Sequence, residues 1–322
     1  MKREDIIELL GDDWEGFRRL LNAALISDIA SLNSVNSLIV SNSGKQLRPI
    51  LSLLVARALG TPTEDSLHYA ASSEVLHNAT LIHDDVADNS LERRGKPSLY
   101  AEIGARSAVL VGDFWLSQAV CLIVGTEREN KVTDLFARTL SNLAEGEMLQ
   151  LEKASTCDTT EEDYLRIIYC KTASLFETTC RSAALSVDAG QEAADAAGRY
   201  GKAVGLAFQI KDDIFDYTGG DGIGKPVGLD LAERKITMPL LGLLRSAPDA
   251  GELRAMVRDI PDHPEYCTAL RELVVAGGGI EYATSRLDDY VDEALKALEA
   301  FPESAEKQVL ADLARYNAIR KV

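Results

Sequence analysis

Apolar residues in this chain recur every three or four positions over long stretches, and that spacing leaves little room for anything but α-helix. Segment 4–27 puts Ile7, Leu10, Trp14, Phe17 and Leu21 on one side of a helix. Segments 67–88 and 191–217 keep the same period for about six or seven turns each. Thr159-x-x-Glu162, ahead of YLRIIYCKTASLFETTCRSAALS, fits a capping box opening another helix. No run alternates apolar and polar residues between turn signals, as a half-buried strand would, and prolines number only nine. Breaks fall at 41–49, 60–65, 218–228 and 246–251, none long or polar enough for an interdomain linker. The expectation is an all-α chain with one domain spanning 1–322.

Into two of these helical stretches the sequence writes a pattern that helices disfavour. LIHDDVADNSLERRG (81–95) holds Asp84, Asp85 and Asp88, and KDDIFDY (211–217) holds Asp212, Asp213 and Asp216 with the same DDxxD spacing. Residues i and i+4 share a helix face, so Asp84 and Asp88 form a rail with Asp85 about 100° round, and the second cluster repeats it. Like charges so placed cost a helix about a few tenths of a kcal/mol each. One such cluster reads as a solvated acidic stripe. The duplication, the apolar or small flanks (Ala79 to Ile82, Leu206 to Phe208) and the neighbouring cations Arg93, Arg94, Lys225 and Lys235 point elsewhere.

Buried carboxylates need a counter-charge. Hard oxygen donors with no cysteine and little histidine nearby suit Mg²⁺, which takes a carboxylate or two plus substrate phosphates. His83 adjoins the first rail but points off the Asp84–Asp88 face and has no histidine partner to complete a zinc site. Two rails facing each other would sandwich a diphosphate through bridging Mg²⁺, while separate Lys and Arg groups hold a second anion.

Composition narrows the partners. A net charge of −17 argues against nucleic acid, whose phosphates need a basic patch. The five cysteines show no CxxC pair and the histidines number four, so free thiols in a reducing cytoplasm are expected and a zinc site is not. The N-terminus lacks the apolar core of a signal peptide. No window approaches a membrane span; the most apolar, ILSLLVARALG, is short and contains Arg57.

With these motifs in view, the chain resembles the trans-isoprenyl diphosphate synthases, the polyprenyl synthetase family. The markers run in order through nearly the whole chain: GKQLRP (44–49), LIHDDVADNSLERRGKPS (81–98), VLVGDFWLSQA (109–119), AEGEMLQL (144–151), YCKTASLFE (169–177), GLAFQIKDDIFDYTG (205–219) and GKPVGLDLAERKITMPL from 224. The resemblance implies an isoprenoid-synthase-type bundle of ten or more helices around a deep central cavity, usually a homodimer. It implies head-to-tail condensation: an allylic diphosphate ionises, isopentenyl diphosphate attacks the cation, and a proton is lost, with the departing diphosphate as base. Mg²⁺ is the implied cofactor, three ions per active site when diphosphate is bound, held by Asp84, Asp85, Asp88, Asp212, Asp213 and Asp216. Arg93 and Lys225 match contacts to the allylic diphosphate, with Lys171 and Lys235 in the same role. Lys45, Arg48, His77 and Arg94 match the isopentenyl diphosphate pocket. Thr172 and Gln209 match the polar groups beside the allylic carbon, where their dipoles stabilise positive charge. GGDGIGKPVG reads as a turn-rich connector and also fits a flap closing over the diphosphates.

In the family's short-chain members, bulky aromatics one turn beneath the first rail close the tunnel. Here those positions are Thr80 and Ala79, both small. Leu76 and Trp115 are the next candidates for a floor, and Trp115 fits core packing equally well. A turn of about 5.4 Å is close to one extended five-carbon unit, which places the product at roughly thirty to fifty-five carbons, centred near forty. The small pair, with AEGEMLQL, is most like the medium- to long-chain bacterial enzymes that make quinone side chains.

Other readings use the same motifs differently. A class I terpene cyclase usually carries an NSE-type second motif and more aromatics than the 6% found here. A non-catalytic subunit of a heteromeric synthase typically loses aspartates or the basic pocket, and both are intact. Arg320 and Lys321 fit either a solvated tail or a cover for the isopentenyl site. Product release makes transient membrane contact plausible, though no basic amphipathic helix announces it.

Overall fold

The computed structural model describes residues 2–42, 44–93, 95–219 and 227–319. Its elements in chain order are α1 (Arg3–Leu10), α2 (Asp12–Ala24), α3 (Ala30–Ser41), α4 (Leu47–Leu59), α5 (Glu64–Ala87), a hairpin of β1 (Glu92–Arg93) and β2 (Lys96–Pro97), α6 (Leu99–Ile103) and α7 (Ala105–Cys121). There follow α8 (Glu129–Thr156), α9 (Glu161–Ile168), a π-helical turn (Tyr169–Ala173), α10 (Ser174–Ser186), α11 (Gln191–Thr218) and α12 (Leu229–Ala232). The remainder is α13 (Met238–Ser246), α14 (Ala250–Asp259), α15 (Glu265–Ala276), α16 (Gly279–Ala297) and α17 (Ala305–Ile319). The chain is all-α, as its periodicity predicts; among the described residues the only sheet is the hairpin, with Glu92 opposite Pro97 and Arg93 opposite Lys96.

Two compact units are resolved: Met1–Ala137 with Thr178–Gly198 and Ala300–Leu310, and Arg138–Glu177 with Arg199–Glu299 and Ala311–Val322. In the first, α5 packs against α7, α4 and α2. Its 24 residues bury Tyr69, Val75, Leu76 and Ala79, and Thr63 caps its first turn by accepting the Ser66 amide. In the second, the core gathers Ile210, Ile214, Tyr217, Met238, Leu270, Val274 and Leu287 from α11, α13, α15 and α16.

Three local expectations are corrected. The helix over 4–27 is two helices, broken at Gly11 between Leu10 and Asp12. The capping box lies one residue later than Thr159–Glu162: Thr160 accepts the Asp163 amide, and the Asp163 carboxylate accepts the Thr160 amide. Thr159 is instead buried, its carbonyl accepting from Arg254. The helix after that cap is interrupted by the π-turn Tyr169–Ala173. That turn forms where two glycines let neighbouring helices press on it. A Cβ on Gly146 would sit 2.7 Å from Cys170 Cβ, and one on Gly205 2.6 Å from Ala173 Cα. Cys157, Cys170 and Cys180 are buried, Cys121 is exposed, and all five thiols are free.

Candidate active site

The first rail occupies the C-terminal turn of α5. Asp84 is half-buried and Asp85 buried, at 3% exposure. Asp88 is exposed and serves as the C-cap, its amide donating to the Asp84 carbonyl. The hairpin folds back to supply the counter-charge. Arg93 donates from Nε and a terminal nitrogen to one Asp85 oxygen, both at 2.8 Å. The turn carrying it is tied down by Ser90, whose amide donates to the Asp85 carbonyl, and by Ser98, whose hydroxyl donates to the Ser90 carbonyl. His83 turns away from the rail, as expected, over Gly112 and toward Asp113 at 3.3 Å.

Also in the first unit, Lys45 lies in the exposed turn before α4, its carbonyl accepting from Arg3 Nε. Gln46, in the left-handed region at φ 51°, is the N-cap of α4 and accepts from Arg3 through its side chain. Arg48 stands in the first turn of α4, and His77 is half-buried on α5, against which α4 packs. The His77 carbonyl accepts from Thr80 Oγ1. Ala79 and Leu76 are buried. Trp115 is fully buried on α7, its Nε1 donating at 2.8 Å to Asn36 Oδ1.

The second rail lies in the last turns of α11. Asp213, 4% exposed, is held from two sides. Tyr164 donates its hydroxyl at 2.6 Å to one oxygen, and Gln209 donates its amide at 2.9 Å to the other. Gln209 in turn accepts from Thr172 Oγ1 at 2.8 Å. A hydrogen-bonded chain thus runs from the π-turn threonine to the rail. Asp216 accepts the amides of Leu229 and Asp230, both at 3.1 Å, and so fastens the start of α12. Lys171, on the π-turn, is paired with Glu147 of the AEGEMLQL segment, and Lys235 with Glu233.

Burial lifts this cluster's carboxyl groups. Asp213 is pushed well above the usual carboxylate range by burial and then by the Asp230 charge, with the Tyr164 and Gln209 hydrogen bonds pulling the other way. Burial raises Asp216, and its backbone hydrogen bonds temper the rise. Asp230 is raised to about 7 by burial and then by Asp216. Acids that raise one another's pKa in a largely buried setting are what a divalent cation relieves. Among the described residues no three acid, histidine or cysteine side chains converge into a ready-made cage.

Asp230, Tyr164 and Glu147 were not singled out from sequence. Asp230 sits in GLDLAERK without rail spacing, and its identity as a cluster member comes only from α12 folding onto Asp216. Arg94, Lys225, Arg320 and Lys321 lie outside the described residues, as do positions 220–226 of the expected flap GGDGIGKPVG. No described helix is long and apolar enough to cross a membrane.

Comparison with known proteins agrees with the motifs. Residues 29–274 match the polyprenyl synthetase family model. The chain is 35% identical over 316 residues to octaprenyl diphosphate synthase of Escherichia coli, covering 98% of both. It is 38% identical over 320 residues to the geranyl-diphosphate-specific all-trans-nonaprenyl-diphosphate synthase of Rhodobacter capsulatus, covering 97% of this chain and 96% of that one. Among solved structures, a decaprenyl diphosphate synthase from Rhodobacter capsulatus superposes with TM-score 0.92 at 34% identity over the full length of both chains. A polyprenyl synthase from Caulobacter crescentus, complexed with calcium and isoprenyl diphosphate, gives 0.90 at 33%, covering 100% of this chain and 98% of that one.

Proposed function

The chain belongs to the polyprenyl synthetase family, and from that premise we propose that it extends farnesyl or geranylgeranyl diphosphate with isopentenyl diphosphate to an all-trans product of about forty carbons, one unit per helical turn of about 5.4 Å. It is a prenyltransferase of the trans-polyprenyl diphosphate synthase class. The observation that carries the reading is the doubled rail with a buried middle aspartate held from behind, Asp85 by Arg93 and Asp213 by Tyr164 and Gln209.

Asp84, Asp88, Asp212 and Asp216 would hold Mg²⁺, with Asp85 and Asp213 behind them; a solved relative carries calcium and isoprenyl diphosphate. When bound, Mg²⁺ neutralises the diphosphate and so favours its departure from the allylic carbon. Lys171 and Lys235 exchange their glutamate partners for phosphate oxygens, joined by Arg93 and Lys225. Lys45, Arg48, His77 and Arg94 bind isopentenyl diphosphate. The Gln209 carbonyl, fixed because its amide donates to Asp213, and the Thr172 hydroxyl stabilise the developing cation. The departing diphosphate accepts the proton.

A long product is supported by Ala79 and Thr80, which put no bulk beneath the first rail, and by the octaprenyl, nonaprenyl and decaprenyl names of the relatives. The outward side of α7, with Leu110 62% and Val120 44% exposed, supports a homodimer, and the free thiols support a cytoplasmic enzyme. The test supplies Mg²⁺, an allylic primer and labelled isopentenyl diphosphate, and resolves dephosphorylated products by length. One ladder of about forty carbons, absent with Asp84→Ala and with Asp212→Ala, is expected from the turn spacing. A stop at fifteen or twenty carbons would overturn the length, and no incorporation by folded protein would overturn the activity.

A further inference from the structure

The seam between α5 and α7 sets one large side chain against small ones. The two helices run antiparallel: Gly112 lies where a Cβ would strike the His83 ring, and Ser72 donates to the Ala119 carbonyl at 2.8 Å. Gly112, Trp115 and Ala119 share one face of α7, at spacings of three and four. Trp115 therefore meets α5 between His83 and Ser72, about level with Ala79 and a turn beneath Asp84. Leu76, Ala79 and Trp115 are all shut off from solvent. The side of α5 in line with Asp84 differs, since His77, Thr80 and Leu81 there are only half-buried. The indole thus lies at the edge of the face that descends from the first rail.

The ring is held from the far side. Its Nε1 donates at 2.8 Å to Asn36 Oδ1 on α3, and Asn36 Nδ2 donates at 2.7 Å to the carbonyl of Leu25, the C-cap of α2. An indole nitrogen only donates and a backbone carbonyl only accepts, so both partners demand the same orientation of the Asn36 amide. Asn36 is also the one side chain of α3 that is buried. A buried indole N–H needs a partner, and an apolar residue at position 36 would leave it without this one.

We propose that Asn36 is a positioning residue for product length: it holds the Trp115 indole toward α3 and out of the path of the growing chain. The inference rests on the prenyl-transfer reading above and deepens it. At about one five-carbon unit per turn of about 5.4 Å, a ring lying across that path level with Ala79 leaves room for a short chain only. A long product therefore requires the ring to be kept aside. A hydrogen bond serving packing alone would affect stability and leave length untouched.

The test compares products of wild type, Asn36→Leu, Asn36→Asp, Trp115→Leu and the Asn36→Leu/Trp115→Leu double variant. Each receives Mg²⁺, an allylic primer and labelled isopentenyl diphosphate. Asn36→Leu should still incorporate label, with its main product shorter by about one five-carbon unit or more. Asn36→Asp keeps an acceptor for the indole and should hold the wild-type length. Trp115→Leu should give a product no shorter than wild type, and adding Asn36→Leu should change nothing further, because Asn36 acts only through the indole. A wild-type length in folded Asn36→Leu overturns the proposal, and so does equal shortening with the indole removed. A longer product from Asn36→Leu also overturns it, by making the pinned ring the floor itself. If wild type makes a long ladder that ignores Asn36, this inference alone falls; if wild type incorporates nothing, the prenyl-transfer reading falls with it. Magnetic resonance of the two indole N–H groups checks the bond without substrate, Trp115 being identified by its missing signal in Trp115→Leu. Its N–H should resist solvent exchange in wild type and shift in Asn36→Leu; the same signal in both overturns the proposal.

Discussion

Replacing Asp230 by asparagine should stabilise the protein above neutral pH, with the gain fading as the solution is acidified. Asp230 lies in the four-residue α12, its amide fastened to Asp216, and burial followed by the Asp216 charge raises its pKa from 3.8 to about 7. For an acid raised on folding, the unfolded chain gives up its proton first. Stability therefore falls as pH climbs from the unfolded value to the folded one, and the full cost persists above about 7. A rise of about three units corresponds to about 4 kcal/mol, at about 1.36 kcal/mol each. Part of it is shared with Asp213 and Asp216, leaving about 2–4 kcal/mol to be gained by the neutral amide. At about 2.1 cal/mol/K per residue, 322 residues give an unfolding entropy of about 0.7 kcal/mol/K, so the gain reads as about 3–6 °C in Tm. Calorimetry of both proteins at about pH 8.5 and pH 4.5, without divalent ions, measures it, and added Mg²⁺ should narrow the gap at high pH by stabilising the wild type more. The same Tm difference at both pH values would refute the argument.

Other substitutions test the anchors. Tyr164→Phe removes a buried donor to a carboxyl group and should cost about 1.5–3 kcal/mol, while raising the Mg²⁺ concentration needed for half-maximal activity; an unchanged Mg²⁺ titration would count against the anchoring role. Gly205→Ala drives a Cβ into Ala173 backbone and should cost about 1–3 kcal/mol, with activity falling further than stability because Thr172 moves off Gln209. Ala79→Tyr, at a fully buried position one turn below the first rail, should shorten the product ladder without abolishing incorporation, as read by product chromatography.

What could be read in advance follows a physical divide. Periodicity reports the buried face of a helix, so α5 and α11 emerge within a few residues of 67–88 and 191–217. Spacing on such a helix fixes which carboxylates share a face, so both rails are legible. Features that depend on a second element are not. The π-turn at Tyr169–Ala173 arises from Gly146 and Gly205 on other helices, and YCKTA contains no sign of it. Tyr164 becomes an anchor through Asp213, which stands 49 residues away. Arg93 was legible as a nearby cation, and only the hairpin reveals that it clamps Asp85. The missed Gly11 break shows the opposite failure, where periodicity carries smoothly across a turn that the backbone takes.

The placement of the rails explains why they are conspicuous. Both stand at the C-terminal ends of their helices, Asp84 to Asp88 at the end of α5 and Asp212 to Asp216 just before Thr218, and neither helix has a basic residue in its last turn. A carboxylate there meets the negative end of the helix dipole, at about 0.3–1 kcal/mol each, on top of the repulsion between i and i+4. Capping preferences run the other way, so a chain selected for stability alone would place cations at these turns. The fold offsets the cost at the middle aspartate differently in the two units, and at Asp216 through the Leu229 and Asp230 amides. Asp85 receives a full positive charge from Arg93, whereas the Tyr164 and Gln209 donors to Asp213 are neutral and the charges of Asp230 and Asp212 act on it. At the second rail Asp213, Asp216 and Asp230 are all raised, chiefly by burial, with Lys235 and Lys171 tempering Asp230. A divalent cation turns both costs, the dipole and the i,i+4 repulsion, into attraction.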